Sequence, residues 1–386
     1  MLSGTDALAA GAVAAAVTAA LTPLSARLAR RVGAIDQPSD RGLADHPTPR
    51  LGGLAICAGV LLPGLLWLPL REPWKAVLAA ALLITLVGAV DDLFGLSPFV
   101  KLAGQTLAAT LVAYEGARVD NFTLPFIHRV DLSEPVAIAA TVLGLVIVMN
   151  AVNFSDGVDG LASGVCAIAA ASFAIIAFDI PVGRAPSAPI AGVLSAIVAG
   201  AALGFLAWNF YPARVFMGDS GSNLLGLMLG CVAVVGTVKT PALVGLIAPL
   251  VILAVPFLDT TFVVLKRLKY RRPITRADAN HFHHRFSRIG FSQRRTVAYL
   301  YAWTLSLAGL ALALRFVPYT NRRGDWHLGW SLLMGGFLLL AVAASVYLVY
   351  LLEILKLRRR FRRDTDEQFE RRIETSEFDA IEPPQG

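Results

Sequence analysis

The sequence predicts an all-α, polytopic integral membrane protein with about 11 transmembrane helices. Of its 386 residues, 56% are hydrophobic and only 16% are charged, and the mean hydropathy is +0.64. A soluble domain is typically about a quarter charged, whereas a spanning helix needs ~20 mostly apolar residues. Apolar windows of that length recur along most of the chain, which argues against a soluble enzyme and a disordered chain. Continuous runs also argue against a barrel of short alternating strands.

The candidate transmembrane helices are eleven apolar segments. The first is predicted to be a retained helix and not a signal peptide, because its arginines follow the apolar stretch. The three cysteines all lie in such runs, which favours packing residues over a disulfide framework or a structural zinc site. The segments lie near 5–27, 51–70, 75–91, 99–115, 134–152, 161–180, 189–209, 221–238, 243–265, 296–317 and 328–355.

The distribution of lysine and arginine orients these helices. With the N-terminus outside, 25 of the 34 basic residues fall on the cytoplasmic side and 9 fall outside. Because basic residues mark cytoplasmic loops, the sequence predicts an external N-terminus and a cytoplasmic C-terminus in the inner (plasma) membrane. The net charge of +7 then reflects membrane orientation, and no nucleic-acid partner is expected.

The longest polar exterior loop spans 116–133. Val119, Phe122, Leu124 and Phe126 are spaced two or three apart, which would suit a small hairpin. An irregular loop is the preferred prediction.

Five aspartates lie at the predicted membrane boundaries. Asp91 and Asp92 end the third apolar segment, Asp156 and Asp159 follow the fifth, and Asp219 precedes the eighth. Carboxylates at such positions are costly and tend to be functional. All five fall on the cytoplasmic side of a topology oriented from lysine and arginine alone, which predicts one shared site.

The second cluster continues upstream as a polar stripe. Asn150, Asn153, Asp156 and Asp159 recur every three residues, and they share one side if the segment is helical. Buried polar side chains need partners. The stripe therefore predicts a ligand, with interhelical hydrogen bonding as the alternative.

The other two acidic clusters favour a cation and phosphate. The adjacent carboxylates of Asp91 and Asp92 repel, so they invite a divalent cation or a basic partner. Mg²⁺ usually takes one or two carboxylates together with substrate phosphates. Asp219 lies beside Gly218 and Ser220 at a predicted helix start, where free N–H groups suit phosphate; a helix cap is the alternative.

The large basic loop contains NHFHHRF (280–286). His281, His283, His284 and Arg285 suit an anion better than zinc, since zinc sites use four ligands at characteristic spacing and no cysteine is near. A solvated loop is the alternative. With the acidic clusters, this loop predicts phosphoryl transfer at a membrane surface.

The ordered motifs VDDLFGL (90–96), NAVNFSDGVDGLASG (150–164), RVFMGDSGSNLLG (214–226) and NHFHHRF, with PTPRLGG (47–53), carry a family resemblance. Together they resemble the polyprenyl-phosphate N-acetylhexosamine-1-phosphate transferase family. The resemblance implies transfer of a sugar phosphate, most closely N-acetylglucosamine-1-phosphate, from a UDP-sugar to undecaprenyl phosphate, with release of UMP. The product would start cell-envelope polysaccharide synthesis.

The resemblance leaves alternatives open. The branch that uses the muramoyl pentapeptide typically has three consecutive histidines, whereas Phe282 interrupts them here. N-acetylgalactosamine remains an alternative sugar. Outside the enzyme class, a transporter is the rival, although transporters place ionisable groups near mid-membrane and often show repeated halves. The implied partners are a UDP-N-acetylhexosamine, polyprenyl phosphate, the bilayer and, in a homodimer, a second copy; the implied cofactor is Mg²⁺, with Mn²⁺ as an alternative.

The resemblance also assigns residues. Residues 1–355 would form the catalytic domain, with active-site loops at 27–50, 91–98, 150–160, 210–220 and 266–295, and 356–386 a cytoplasmic tail. The implied catalytic residues are Asp91, Asp92, Asp156 and Asp159. Asp219 and Asp92 would bind the metal, and the substrate contacts would be Asn150, Asn153, Asn209, Phe216, His281, His283, His284 and Arg285.

Overall fold

The computed structural model describes residues 2–37, 47–124, 128–180, 186–236, 292–317 and 327–343, together with positions 254, 345 and 347. These residues form a bundle of helices with two very small sheets. Its helices are α1 (Gly4–Val32), α2 (Gly52–Trp67), α3 (Trp74–Phe94), α4 (Pro98–Tyr114), α5 (Glu134–Ser155), α6 (Leu161–Asp179), α7 (Ala188–Asn209), α8 (Gly218–Gly236), α9 (Gln293–Phe316) and α10 (Leu328–Ala343).

The prediction of a polytopic membrane protein is confirmed. Within the described ranges, seven helices are long and apolar enough to cross a membrane, and α2 and α10 are shorter apolar helices. The predicted segment 243–265 lies outside the described residues except for position 254. The total of eleven spans and the orientation of the termini therefore stay predictions.

Local sequence signals set several helix ends. Ser3 and Asp6 form a capping box at the start of α1, and Gly33 ends that helix in the left-handed conformation, with φ of 81°. Ser97 caps α4, where Pro98 occupies the first turn. These short-range signals explain why the predicted and observed helix bounds agree closely.

The preference for an irregular loop at 116–133 is wrong. Strands β3 (Asn121–Leu124) and β4 (His128–Asp131) pair antiparallel, with Asn121 opposite Asp131. The Arg118 guanidinium lies 2.8 Å from carboxylate oxygens of both Asp120 and Glu134, which ties this hairpin to the start of α5. Of the alternating apolar residues, Phe122 and Leu124 lie in β3, Val119 precedes it and Phe126 lies outside the described residues.

A second sheet also departs from an all-α fold. Strand β1 (Ile35–Asp36) pairs antiparallel with β2 (Thr48–Pro49). Backbone bonds extend this contact, because the Phe216 N–H donates to the Pro49 carbonyl at 2.8 Å. The PTPRLGG segment is thereby held against the residues that precede α8.

The predicted four-residue polar stripe is wrong in its second half. Helix α5 ends at Ser155, Asp156 is its C-cap, and Asp159 lies in the turn before α6. Gly160 begins that next helix with φ of 79°, a conformation that favours glycine. Only Asn150 and Asn153 share the helical face.

Helix α8 lies at the centre of the bundle, in contact with α2, α3, α5 and α7. Two glycines permit the close approach of its first turn. A Cβ on Gly53 would lie 2.2 Å from the Gly221 nitrogen, and one on Gly88 would lie 2.4 Å from the Ser220 Cα. Such backbone contacts are what small residues allow between membrane helices, and they bring the polar ends of α3, α4, α5 and α8 together.

Candidate active site

Asp92, near the end of α3, holds the first turn of α8. Its side chain is fully buried, and its Oδ1 accepts a hydrogen bond from the Asp219 N–H at 2.9 Å. Its Oδ2 accepts from the Ser220 N–H at 3.1 Å and from the Ser220 hydroxyl at 2.8 Å. The Arg50 Nε lies 3.6 Å from Oδ1. Since the first N–H groups of a helix lack partners within it, Asp92 acts as a cap supplied by another helix.

Lys101, in the first turn of α4, joins two carboxylates. Its Nζ lies 3.1 Å from Asp91 Oδ2 and donates to Asp219 Oδ2. The Lys101 side chain is 22% exposed, and those of Asp91 and Asp219 are 11% and 17% exposed. The ion pairs are thus only partly open to solvent, which strengthens them relative to surface pairs.

Asn153, one turn before the end of α5, contacts the other oxygen of Asp219. Its Nδ2 donates to Asp219 Oδ1 and, at 2.8 Å, to the Ser222 hydroxyl oxygen. With Lys101 on Oδ2, the Asp219 carboxylate is held from both sides. Three helices therefore fix the orientation of one carboxylate.

Asp156, which caps α5, adds a fourth carboxylate to this end of the bundle. Burial raises the pKa of Asp156 above its usual range, and the charges of Asp219 and Asp92 raise it further, while Arg50 lowers it. The carboxylates of Asp219 and Asp92 therefore lie close enough to Asp156 to act on it electrostatically.

The loops beside the carboxylates are tied together by Asn209. The Asn209 Oδ1 accepts from the Gly160 N–H at 3.0 Å and from the Ser163 hydroxyl at 3.1 Å, and Nδ2 donates to the Val215 carbonyl at 3.0 Å. Asp159 Oδ2 accepts from the Ala213 N–H at 2.9 Å. The turn after α5 and the segment before α8 therefore form one framework.

Comparison with known proteins places this site in a family. Residues 74–237 match the model described as Glycosyl transferase family 4. A Bacillus subtilis protein named "Probable undecaprenyl-phosphate N-acetylglucosaminyl 1-phosphate transferase" is 36% identical, over 76% of this chain and 81% of the relative. The chain belongs to glycosyl transferase family 4. The predicted resemblance is thereby confirmed.

Other relatives in the family carry two kinds of name. "Decaprenyl-phosphate N-acetylglucosaminephosphotransferase" of Mycolicibacterium smegmatis is 35% identical, over 80% of this chain and 82% of its own. "Phospho-N-acetylmuramoyl-pentapeptide-transferase" of Desulforamulus reducens is 33% identical, over 80% of this chain and 96% of its own. The chain thus resembles relatives with both kinds of name across most of its length.

Nine of the predicted site residues lie in the described part of this family member, and the structure links five of them at one end of the bundle. Asp91, Asp92, Asn153, Asp156 and Asp219 are linked there by hydrogen bonds, ion pairs or electrostatic interactions. Phe216 is half-buried beside them. Three further predicted residues form hydrogen bonds with other parts of the protein, namely Asn150, Asn209 and Asp159. His281, His283, His284 and Arg285 lie outside the described residues.

The prediction that free N–H groups at the start of α8 bind phosphate is wrong for two of these groups. Those of Asp219 and Ser220 donate to Asp92. The family resemblance assigned Asp92 to the metal, and the sequence did not indicate the cap because Asp92 lies 127 residues from Asp219. The functional contribution of Asp92 stays a prediction.

Sequence reasoning missed the roles of Lys101 and Arg50. Both contact the aspartates, Lys101 through Asp91 and Asp219 and Arg50 through Asp92. The sequence could have indicated a role for Lys101, since it is a lysine within the largely apolar helix α4. Ionisable groups in such segments usually have partners.

Replacing Asp92 is expected to destabilise the start of α8. Asp92→Ala leaves two N–H groups without their acceptor, and each buried unsatisfied group costs about 1–3 kcal/mol; the Ser220 hydroxyl can still donate to the Met217 carbonyl. Asp92→Asn keeps one acceptor oxygen and should lose less. Thermal unfolding in detergent, followed by tryptophan fluorescence, measures the shift. Asp120→Ala on the hairpin is the matched control, since exposed ion pairs contribute little; an unchanged midpoint for Asp92→Ala would contradict the cap.

Proposed function

We propose that this protein transfers N-acetylglucosamine-1-phosphate from UDP-N-acetylglucosamine to undecaprenyl phosphate and releases UMP. The product is the lipid-linked sugar diphosphate that begins an envelope polysaccharide. The Asp219 carboxylate, held between Lys101 and Asn153 beside Asp91, is the observation that carries the proposal. The names of the relatives at 35% and 36% identity supply the sugar and the lipid.

The carboxylates of the site favour a phosphate substrate only when a divalent cation is bound with it. Among the described residues, the carboxylates of Asp91, Asp92, Asp156 and Asp219 outnumber their basic partners Arg50 and Lys101. A diphosphate entering such a site would be repelled by the excess negative charge. The site therefore needs a divalent cation beside its own basic residues.

The donor set fits Mg²⁺, or Mn²⁺ in its place. Both ions prefer carboxylate oxygens, and Mg²⁺ often takes only one or two carboxylates plus substrate phosphates. Asp219 and Asp91, which share the Lys101 ammonium, offer such a pair of carboxylates. When bound, the ion supplies neutralisation of the diphosphate charge.

The residues of the chain supply orientation for the reaction. An oxygen of the lipid phosphate attacks the β-phosphorus of the UDP-sugar, and the bond between that phosphorus and the oxygen of UMP breaks. The lipid phosphate is already anionic at neutral pH, so no proton has to be removed. Lys101 is placed to stabilise negative charge beside Asp219, and Asn153 fixes the Asp219 carboxylate. Catalysis by positioning and charge is typical of phosphoryl transfer.

The proposal includes a cytoplasmic active site in the inner membrane, in a monomer or a homodimer. The supporting observations are the predicted orientation from 25 cytoplasmic basic residues and the position of the linked aspartates, Asn153 and Lys101 at one end of the bundle. Bacterial cells would supply a nucleotide sugar only on the cytoplasmic side. The hairpin β3–β4 lies at the opposite ends of α4 and α5.

Topology is tested with reporters fused to the intact chain. Green fluorescent protein joined after Gly386 is expected to fluoresce, because it folds in the cytoplasm. Alkaline phosphatase inserted between β3 and β4 is expected to be active, because it folds outside. Swapping the two reporters provides the control. Fluorescence from the hairpin position together with phosphatase activity at Gly386 would place the site on the wrong side of the membrane.

The donor preference is tested with purified protein and undecaprenyl phosphate. Turnover of UDP-N-acetylglucosamine is expected to exceed that of the UDP-muramoyl-pentapeptide by about 100-fold, because the peptide needs its own space and polar partners. UDP-N-acetylgalactosamine belongs in the same panel. UMP release is the measurement. Equal turnover of the first two donors would favour the pentapeptide-transferase assignment instead.

A further inference from the structure

A second polar layer lies directly behind the active-site layer. Gln105 on α4 donates through Nε2 to Asn223 Oδ1 on α8 at 2.8 Å. Asn150 on α5 donates through Nδ2 to Gln105 Oε1, also at 2.8 Å, and to the Val146 carbonyl. The same three helices that hold the Asp219 carboxylate are therefore connected again, one turn deeper in the bundle.

The two layers correspond residue by residue. Gln105 follows Lys101 by four residues, and Asn223 follows Asp219 by four, so each pair shares one face of its helix. Asn150 precedes Asn153 by three. Asn223 also joins the layers directly, because its Nδ2 donates to the Asp219 carbonyl at 2.8 Å.

The deeper layer is costly unless it is complete. Gln105 and Asn223 are each 1% exposed, and a buried amide without a partner loses about 1–3 kcal/mol. Two leucines would fill similar space in an apolar bundle at no such risk, since replacing both partners by apolar groups is often nearly neutral. Stability alone therefore does not account for two buried amides at this position. Their hydrogen bonds form only at one relative placement of the helices, which offers a reason for their presence.

We propose that Gln105 and Asn223, with Asn150, form a positioning network that sets the relative register of α4, α5 and α8. Through this register the network aligns the Lys101 ammonium and the Asn153 amide with the Asp219 carboxylate. This inference rests on the proposed sugar phosphate transfer. The network residues are positioning residues because they contact Asp219 only through its backbone carbonyl. Misplacement of about 1 Å at a site that works by orientation can cost as much as 100-fold in rate.

The test uses the full-length protein with Gln105→Met, Asn223→Leu and the double variant. Each single variant should lower kcat per folded molecule by about tenfold or more, with the KM for UDP-N-acetylglucosamine changed less than about threefold. Each should also lower the thermal unfolding midpoint, since the remaining amide of the Gln105–Asn223 pair loses its partner. In the double variant the midpoint should recover in part, because neither of these amides is left unpaired while Asn150 and the Asp219 carbonyl still lack their partners, whereas kcat should stay low. Thr304→Val, which removes a buried hydroxyl on α9, is the matched control and should keep wild-type kcat.

Folded molecules are counted by size-exclusion chromatography and circular dichroism, so a loss of folded protein does not hide the result. Lowered kcat in both single variants and the double variant supports the network. A kcat within about twofold of wild type in either single variant, or recovery of kcat in the double variant, overturns it. A wild-type protein that transfers no sugar phosphate would instead refute the proposed function.

Discussion

Replacing Asp219 with asparagine is expected to lower the rate of sugar phosphate transfer by about 100-fold or more, the scale of losing a main electrostatic stabiliser. Asparagine keeps the shape of the side chain and an oxygen that can accept from Asn153. It removes the charge that pairs with Lys101 and that would bind a divalent cation. The Mg²⁺ concentration at half-maximal rate is therefore expected to rise.

The measurement is rate against Mg²⁺ concentration for wild type and variant at equal amounts of folded protein. Asp179→Asn is the matched control, because Asp179 pairs with Arg315 at the opposite end of α6. Asp156→Asn should weaken nucleotide binding more than it changes the Mg²⁺ dependence. If Asp219→Asn keeps the wild-type rate and Mg²⁺ midpoint, Asp219 serves only the start of α8 and the metal belongs to Asp91 and Asp92.

Replacing Lys101 with methionine is expected to lower the rate by about 100-fold as well, and to shift the Mg²⁺ dependence in the opposite direction. The ammonium pairs with the carboxylates of both Asp91 and Asp219. Without it the two charges repel, by about 4 kcal/mol at 4 Å and intermediate dielectric. A divalent cation would relieve that repulsion, so the Mg²⁺ midpoint should fall even though the positive charge that orients Asp219 is lost.

Lys101→Arg keeps the charge in a different shape and should retain more activity than Lys101→Met. Lys75→Met, at the exposed far end of α3, is the matched control and should behave as wild type. A Lys101→Met variant with a wild-type rate would show that the lysine only neutralises charge. A rise in its Mg²⁺ midpoint would show that Lys101 assists cation binding, contrary to the account given for this site.

The helices of this protein were largely predictable because each is a long apolar run with clear end signals. The predicted segments 161–180 and 189–209 match Leu161–Asp179 and Ala188–Asn209 within one residue. The predicted segment 134–152 ends three residues before α5 does at Ser155. The predicted polar stripe continues past that end, because the regular spacing in NAVNFSDGVDG runs on to where Gly157 and Gly160 favour a turn. The hairpin was missed because its alternation is short.

The site was predictable in composition but not in its connections. The carboxylates at the predicted helix ends indicated one shared polar site, and the structure brings Asp91, Asp92 and Asp219 together there. The partner of each carboxylate depends on how helices cross. That Asp92 caps α8 and that Lys101 joins Asp91 to Asp219 follow from the approach of α3 and α4 to α8. No periodicity within a single helix contains that information.

The fate of the β-phosphorus of the donor tests the central claim most directly. Purified protein is incubated with undecaprenyl phosphate, Mg²⁺ and UDP-N-acetylglucosamine that carries ³²P in the β-phosphate. Sugar phosphate transfer predicts that the label enters the lipid fraction in a one-to-one ratio with released, unlabelled UMP, and that Asp219→Asn abolishes both. Labelled UDP in the aqueous fraction, with transfer of the sugar alone to the lipid, would contradict phosphoryl transfer. The absence of both labelled lipid and released nucleotide would contradict the enzyme assignment.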